Sequence, residues 1–573
     1  MNRDLSQLSE NTFDIVVIGG GIFGVCAAWD AAQRGLSVAI IERDDFGSAT
    51  SANSYKIVHG GIRYIQHGDV YRVRQSSNER RAFLRIAPHL TRPLPIVIPT
   101  YGHGMKGKAV LRVGMGLYDL LTLDRNRGIN DSQRKIPSGR TMSRKEALDM
   151  FPALDPDGLT GAAMFSDGQM YNPPRLALAF LQSAVRAGAV AANHVEARGF
   201  LRKGDRVIGV RARDVLSGNT IEIRGTVVLN AAGPYAERLL LEGAELEISP
   251  EGTYSRDACF VVPRRLLDSE YALAVQGRTR DPEAVLSRGE RHLFIAPWRD
   301  YTVIGTWHLV YRGHPDAFTV EDSELQRFID EINAAYPALG LELDDISLWN
   351  AGLVPFGDNP EGAEHLRYGH RSRLIDHAKT HSIQNFITLI GVRYTTGRYE
   401  AERAINLACR KLGRGVPRSR TSVTPLYGGE IEDWTAWQRQ ATSNYGQRFG
   451  RDVASSLVHN YGSGYEDVIR LTDQDASLGQ RIGRSSTIRA QLVHAARAEM
   501  AKTLADAVLR RTDLATGEYP GRVALAECSG LLGRELGWNA AAMENQVAEV
   551  VSRFPARAVE RIDQARTSGA GAP

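Results

Sequence analysis

The chain has 573 residues, 43% of them hydrophobic and 24% charged, which is too long for a single core and too apolar for a disordered chain, so two or three folded domains are expected. Its 70 basic and 66 acidic side chains leave a formal charge of +4, too small and too dispersed for a nucleic-acid-binding surface. The four cysteines, Cys26, Cys259, Cys409 and Cys528, are far apart and form no Cys-x-x-Cys pair, which argues against a metal site or a disulfide framework and fits a reducing cytoplasm. No apolar run reaches about 18 residues and the start of the chain lacks a leader pattern, so neither a membrane span nor secretion is expected. Peripheral contact with the inner face of a membrane stays open, because it needs only an amphipathic face.

Residues 13–18, Phe-Asp-Ile-Val-Val-Ile, have the β-branched richness of a buried parallel strand. Gly19-Gly20-Gly21-Ile22-Phe23-Gly24 follows with G-x-G-x-x-G spacing, then a helical stretch over 25–34, Gly35 as a stop, and a second strand over 37–41 that ends at Glu42. This is a complete βαβ dinucleotide-binding unit. Gly19 permits the tight turn, Gly21 admits a pyrophosphate to the backbone, Gly24 allows close helix–strand packing, and Glu42 stands where a carboxylate accepts from ribose hydroxyls. Next comes a hydroxyl- and glycine-rich stretch over 49–64, suited to wrapping a long dinucleotide.

Gly102-His103-Gly104-Met105-Lys106-Gly107 repeats the glycine spacing without its context, since Pro95 and Pro99 interrupt the preceding apolar run and no strand ending in an acid follows. It reads as a loop before a helix that begins near Ala109. The segment from Lys106 to Leu121 is apolar with cations at its start, so it suits an interfacial helix or one that covers a substrate cavity. Further on, 207–214 and 220–224 read as paired strands around Ser217-Gly218-Asn219, followed by Val227 to Pro234. Near the end, Leu492, Ala496, Met500, Leu504 and Val508 recur at four-residue intervals, the pattern of an amphipathic helix.

Three segments carry a resemblance: Ser54-x-Lys56-x-x-His59-Gly60-Gly61-x-Arg63-Tyr64, Asn230-Ala231-Ala232-Gly233-Pro234, and Gly391-Val392-Arg393-Tyr394-Thr395-Thr396-Gly397-Arg398. Over nearly its whole length, including 493–504 and 510–512, the chain resembles the FAD-dependent glycerol-3-phosphate dehydrogenases. The resemblance implies an α/β fold: a doubly wound, glutathione-reductase-like FAD-binding domain, a β-rich substrate domain and a helical C-terminal domain. It divides the chain into an FAD-dependent region, 11–425, and a helical region, 426–573. Within the first, flavin segments near 11–72, 190–240 and 365–420 alternate with substrate segments near 73–189 and 241–364.

For FAD the resemblance implies Gly19, Gly21, Ile22, Phe23, Gly24, Glu42, Arg43, Thr50, Ser51, Ser54, Lys56, His59, Gly60, Gly61, Ala232, Gly233, Val392, Arg393, Tyr394 and Thr395. For the substrate it implies Arg63, Tyr64, Cys259, His308, His370 and Arg393, and it implies no metal. The departures bear on specificity. Cys259 stands where the family has a histidine, Val354 and His370 where it has phosphate-directed arginines, Arg393 where it has lysine, and His308 where it commonly has an acid. A thiol is a poorer base than imidazole at neutral pH, and a phosphate dianion needs cationic partners. Arg371 and Arg373 are near enough in sequence to compensate, and His308 suits either a base or a substrate contact.

The expected reaction is oxidation of the secondary alcohol of glycerol-3-phosphate, or a related polyol phosphate, with electrons passed to a quinone-type acceptor. The alternatives are an unphosphorylated alcohol, hydroxy acid or amine as substrate, or a flavin-binding paralogue without turnover. A homodimer is compatible with all three readings.

Overall fold

The structure, a computed structural model, describes residues 1–102, 108–246, 253–280, 290–363, 365–367, 369 and 371–567. Its first sheet is built around the strand Thr12–Ile18, whose Ile15, Val16 and Val17 are fully buried, as a strand covered on both faces requires. Burying each such side chain contributes about 1.5–3 kcal/mol. Across the sheet the order is Arg373–Asp376, Phe386–Ile390, Thr220–Asn230, Thr12–Ile18, Val38–Ile41, Val190–Ala192. All neighbours are parallel except the edge strand Arg373–Asp376.

The helices Ile22–Gln33, Pro173–Arg186 and Gly397–Leu412 pack one face of this sheet, with Val25, Leu178 and Ile405 among the buried residues. The other face carries the helices Leu5–Glu10 and Ala236–Ala244 and the strand pair Val195–Lys203 with Arg206–Asp214. This is the expected doubly wound α/β layer. The strand predicted at 220–224 runs on to Asn230: its first half pairs antiparallel with Arg206–Asp214, its second half parallel with Thr12–Ile18. The helix after the glycine turn starts at Ile22, three residues before the expected point, so Gly24 lies inside its first turn.

The second sheet has the order Leu348–Pro355, Tyr254–Val262, Tyr301–Tyr311, Glu290–Trp298, Ala272–Arg280, Thr91–Tyr101, Leu159–Met170, Ile57–Val58, with Arg140–Met142 beside Leu159–Met170. Its alternation is that of a two-sided sheet. Ala258, Phe260 and Val262 pack with Phe328 and Ile329 of the helix Asp322–Ala335, while Cys259 and Val261 join the core of the C-terminal helices. Pro95 and Pro99 do not interrupt Thr91–Tyr101, which pairs along its length with Leu159–Met170. Its other neighbour, Ala272–Arg280, pairs with it only at Ile96 and Val97, so the prolines there displace no donor from a long ladder.

From Trp434 to the last described residue, Thr567, the chain is mainly helical, in two cores around Leu457 and Leu525. The single helix expected through Leu492 to Val508 is broken. Arg489–Ala498 ends at Glu499, Met500 takes φ 56°, and a separate turn, Leu504–Asp506, runs into a wide turn over Ala507–Arg511. Buried polar groups hold the break: Glu499 pairs with Arg175 at 2.7 Å, and Asn193 Nδ2 donates to the Met500 carbonyl at 3.0 Å. Arg511 and Arg510 reach back to the fully buried Asp45, at 2.7 and 2.6 Å, which ties this region to the loop following Glu42.

Candidate active site

The carboxyl ends of four parallel strands meet at one cavity of about 560 Å³. Ile18 leads to Gly19, Ile41 to Glu42, Asn230 to Ala231 and Ile390 to Gly391, the edge at which open α/β sheets bind ligands. Gly19 sits at φ +101°, and a Cβ there would lie 2.6 Å from the Ala231 carbonyl oxygen. A Cβ on Gly24 would lie 1.8 Å from the Gly19 carbonyl oxygen, so this position brings helix and turn together. Gly21 caps the helix Ile22–Gln33 without a side chain, and Ser51 Oγ accepts from the Ile22 N–H at 2.9 Å. The helix N-terminus thus faces the cavity with backbone donors and a positive dipole end, as a pyrophosphate requires.

Glu42 accepts from the Gly20 N–H at 2.6 Å and the Asp44 N–H at 2.9 Å. Removal from bulk water raises its pKa to about 7, against the pull of those two N–H groups. Arg43 lies over the Tyr235 ring at 4.3 Å and pairs with Asp316 at 2.8 Å, closing that end of the cavity. Ser54 belongs to the cavity lining, and its Oγ is buried without a protein hydrogen-bond partner. Glycine cradle, acid, helix terminus and orphaned hydroxyl together fit FAD.

The loop from His59 to Tyr64 forms the cavity floor. The Gly60 N–H donates to Asp167 Oδ1 at 2.6 Å, Tyr118 Oη donates to the Gly60 carbonyl at 2.9 Å, and the His59 N–H donates to Thr395 Oγ1 at 3.0 Å. Burial alone would raise the Asp167 carboxyl, but the His59 hydrogen bond, the Arg80 guanidinium and the Gly60 N–H together bring it below the ordinary carboxylate range. Tyr64 lies between two guanidiniums, Arg72 at 4.8 Å and Arg393 at 4.9 Å, and Arg393 donates to the Gly369 carbonyl at 3.1 Å.

The antiparallel sheet forms the remaining wall with Asp257, Cys259, Arg291, His292, Thr306, His308 and Val354. His308 Nδ1 lies 2.7 Å from Asp257 Oδ1, and Ser255 Oγ donates to the same oxygen at 2.7 Å. Cys259 is buried, which pushes its thiol up to about 11 despite the neighbouring Lys56. Lys56 itself takes φ 67° and turns its Nζ to Asn350 Oδ1 at 3.1 Å; burial lowers it to about 8.

Residues 14–397 match the family described as FAD dependent oxidoreductase, and residues 419–543 match the C-terminal domain of alpha-glycerophosphate oxidase. The glycerol-3-phosphate dehydrogenase of Synechocystis sp. is 32% identical over 560 residues, covering 95% of this chain and 97% of the relative. The chain belongs to the FAD-dependent glycerol-3-phosphate dehydrogenase family. The mitochondrial glycerol-3-phosphate dehydrogenase of Homo sapiens is 30% identical over 571 residues, covering 93% of this chain and 72% of the relative. A solved glycerol-3-phosphate dehydrogenase from Bacillus halodurans, complexed with FAD, has the same fold, with TM-score 0.74 and 23% identity over 96% of this chain and 95% of that one.

As a member of this family the protein is an FAD-dependent oxidoreductase. Most residues expected at its flavin and substrate sites line the one cavity: Gly19, Gly21, Ile22, Phe23, Glu42, Arg43, Thr50, Ser51, Ser54, His59, Gly61, Arg63, Tyr64, Ala232, Gly233, Cys259, His308 and Val392–Thr395. Gly24, Gly60 and Lys56 lie behind the wall, the first two as close-packing points and the third in the Asn350 contact. His370 lies outside the described residues. Arg371 stacks on Tyr71 at 5.4 Å and Arg373 pairs with Glu237 at 3.0 Å; neither lines the cavity, so the expected compensation does not come from them. Arg291 and His292 stand in the wall instead, and they and Asp257 escaped the sequence reading. Ser255 and Asp257, two positions apart on one strand and so on one face, are the local hint of polarity there.

Proposed function

We propose that this enzyme oxidises the secondary alcohol of glycerol-3-phosphate, or of a closely related polyol phosphate, to the corresponding ketone. The carrying observation is the presence of Arg63 and Arg393 in the lining of the cavity that holds the glycine turn, together with the buried Arg291, whose guanidinium donates to the Leu366 carbonyl. Guanidiniums match phosphate oxygens in geometry and charge, and these three stand in for the arginine that Val354 replaces. The names of the relatives support the same substrate. FAD, when bound, supplies the two-electron acceptor for the hydride. The protein's part is to hold the phosphate end, set the donor carbon against the ring and receive the hydroxyl proton. In this reading residues 11–425 form the flavin and substrate region, and 426–573 a helical region that braces it.

Electron exit to a quinone at a membrane surface belongs to the same proposal. The helix Lys108–Leu121 and the turn after it expose Val113, Leu117, Leu120 and Leu123, while Tyr118 is buried and donates to the Gly60 carbonyl. An apolar face directly above the cavity floor supports peripheral contact. No helix among the described residues is long and apolar enough to cross a membrane.

Anaerobic mixing of the FAD-loaded protein with glycerol-3-phosphate, larger polyol phosphates and their unphosphorylated counterparts tests the substrate. Bleaching of the flavin by a phosphate ester supports the proposal. Bleaching only by unphosphorylated alcohols, hydroxy acids or amines would give Val354 the deciding role and overturn it.

A further inference from the structure

Asp257 and His308 are direct partners across the antiparallel strands Tyr254–Val262 and Tyr301–Tyr311. Side chains of such a pair share a face, so one face of this ladder presents Asp257 and His308 while the residues beside them, Arg256 and Trp307, point the other way. On that reverse face both Arg256 and Trp307 donate to the Glu324 carboxylate of the helix Asp322–Ala335. One buried acid therefore pins the register from behind. A one-residue slip would turn Asp257 and His308 away from the cavity and break both bonds to Glu324.

On the cavity side the ring is oriented from both ends. Asp257 Oδ1 lies 2.7 Å from Nδ1, and Ser255 Oγ donates to that same oxygen. A carboxylate only accepts, so Nδ1 carries the hydrogen and Nε2 presents its lone pair, with Thr306 Oγ1 at 3.3 Å. Phe356 packs against the ring at 5.2 Å. The other charged or titratable groups in this part of the wall are Cys259 on the strand of Asp257, Arg291 and His292 on Glu290–Trp298, and Arg63 and Arg393 on the loops. Cys259, buried beside Lys56, holds its proton too firmly to serve as acceptor.

Building on the alcohol-oxidation reading, we infer that His308 is the catalytic proton acceptor and that Asp257, steadied by Ser255, is its positioning residue. As the substrate O–H bond breaks, its proton passes to His308 Nε2 and the oxygen lone pair forms the carbonyl π bond. The hydrogen on that carbon leaves with its bonding pair to the bound two-electron acceptor. The imidazolium that results is stabilised by the Asp257 carboxylate, and no further oxidant or reductant is needed.

The test compares FAD-loaded wild type with His308→Asn, which keeps a donor toward Asp257 but removes Nε2, and with the isosteric Asp257→Asn. Flavin bleaching by glycerol-3-phosphate is followed anaerobically across the neutral pH range, and dithionite reduction confirms an intact flavin in each protein. His308→Asn should slow bleaching by about 10²–10⁴-fold. Asp257→Asn should slow it by about tenfold or more, with the acidic limb of the rate profile displaced to lower pH, because the protonated ring loses its carboxylate partner. Rates within about threefold of wild type for either variant, or an unmoved acidic limb in Asp257→Asn, would overturn the assignment. Should no phosphate ester bleach even the wild type, the substrate reading falls by itself. The pair is then judged by its far-downfield proton resonance and by the same two variants on whichever alcohol does bleach the flavin: a resonance lost in both variants, with slowed bleaching, supports it, and its absence from wild type contradicts it.

Discussion

The two walls of the cavity are made by different means. At the parallel-sheet edge the work is done by backbone: a positive φ at Gly19, a missing Cβ at Gly24 and the N–H groups of a helix terminus, all supplied by one stretch of some two dozen residues. At the antiparallel sheet it is done by side chains brought together from distant positions, 51 residues apart for Asp257 and His308. A backbone-built wall tolerates almost no added atom, whereas a side-chain wall can exchange one residue for another and keep its chemistry. By the resemblance drawn from the sequence, Val354 and Cys259 are such exchanges on the second wall, while the glycine spacing on the first is complete.

The contrast breaks first at Gly24. Valine there would place a Cβ inside the Gly19 carbonyl, and flavin content after purification should show at least about 100-fold weaker FAD retention, or about 2.7 kcal/mol. Next in size, Arg511→Ala removes a buried two-pronged contact but leaves Asp45 with Arg510 and Asn193, so thermal or chemical unfolding should report a loss of about 1.5–3 kcal/mol. At the substrate end of the cavity, Arg393→Met should cost about 1.5–3 kcal/mol of binding, seen as a KM raised about 10- to 100-fold for a phosphate ester but not for an unphosphorylated alcohol. Cys259→Ser sits at the bottom of the scale, with kcat/KM changed by less than about threefold, because a thiol held near 11 takes no proton at neutral pH.

A pH experiment sharpens the same contrast. Glu42, raised to about 7 in the protein without cofactor, binds more protons folded than unfolded between its ordinary carboxylate range and neutrality. Its contribution to apoprotein stability is therefore present at low pH and lost as pH rises through about 7. Glu42→Gln should remove that part of the pH dependence, as measured by unfolding of apoprotein and variant side by side.

Legibility from sequence followed this division. The βαβ unit could be read because strand, glycines, helix and acid are contiguous and each has a local signature. The segments around His59, Ala232 and Val392 came through resemblance, and their convergence on one cavity agrees with it. Asp257 stayed hidden because a lone acid on a strand carries no signal until the register sets it opposite His308. Arg291 and His292 are an ordinary cationic pair in sequence and acquire meaning only from the cavity whose lining they join. The broken helix at Glu499 was misread because four-residue periodicity records which residues are buried, and burial continued through a break held by Arg175 and Asn193. Arg371 and Arg373 failed as compensation for the opposite reason: nearness to position 370 in sequence did not bring them to the cavity.

We propose that one cavity joins a backbone-built flavin site to an arginine-lined substrate wall. A crystal structure of the protein with FAD and glycerol-3-phosphate tests it most directly. The pyrophosphate is expected at the Gly19–Gly24 turn and the phosphate ester on Arg63, Arg291 or Arg393, with the substrate hydroxyl toward His308. A phosphate bound away from those three arginines, or a flavin that does not reach the wall carrying Asp257 and His308, would contradict it.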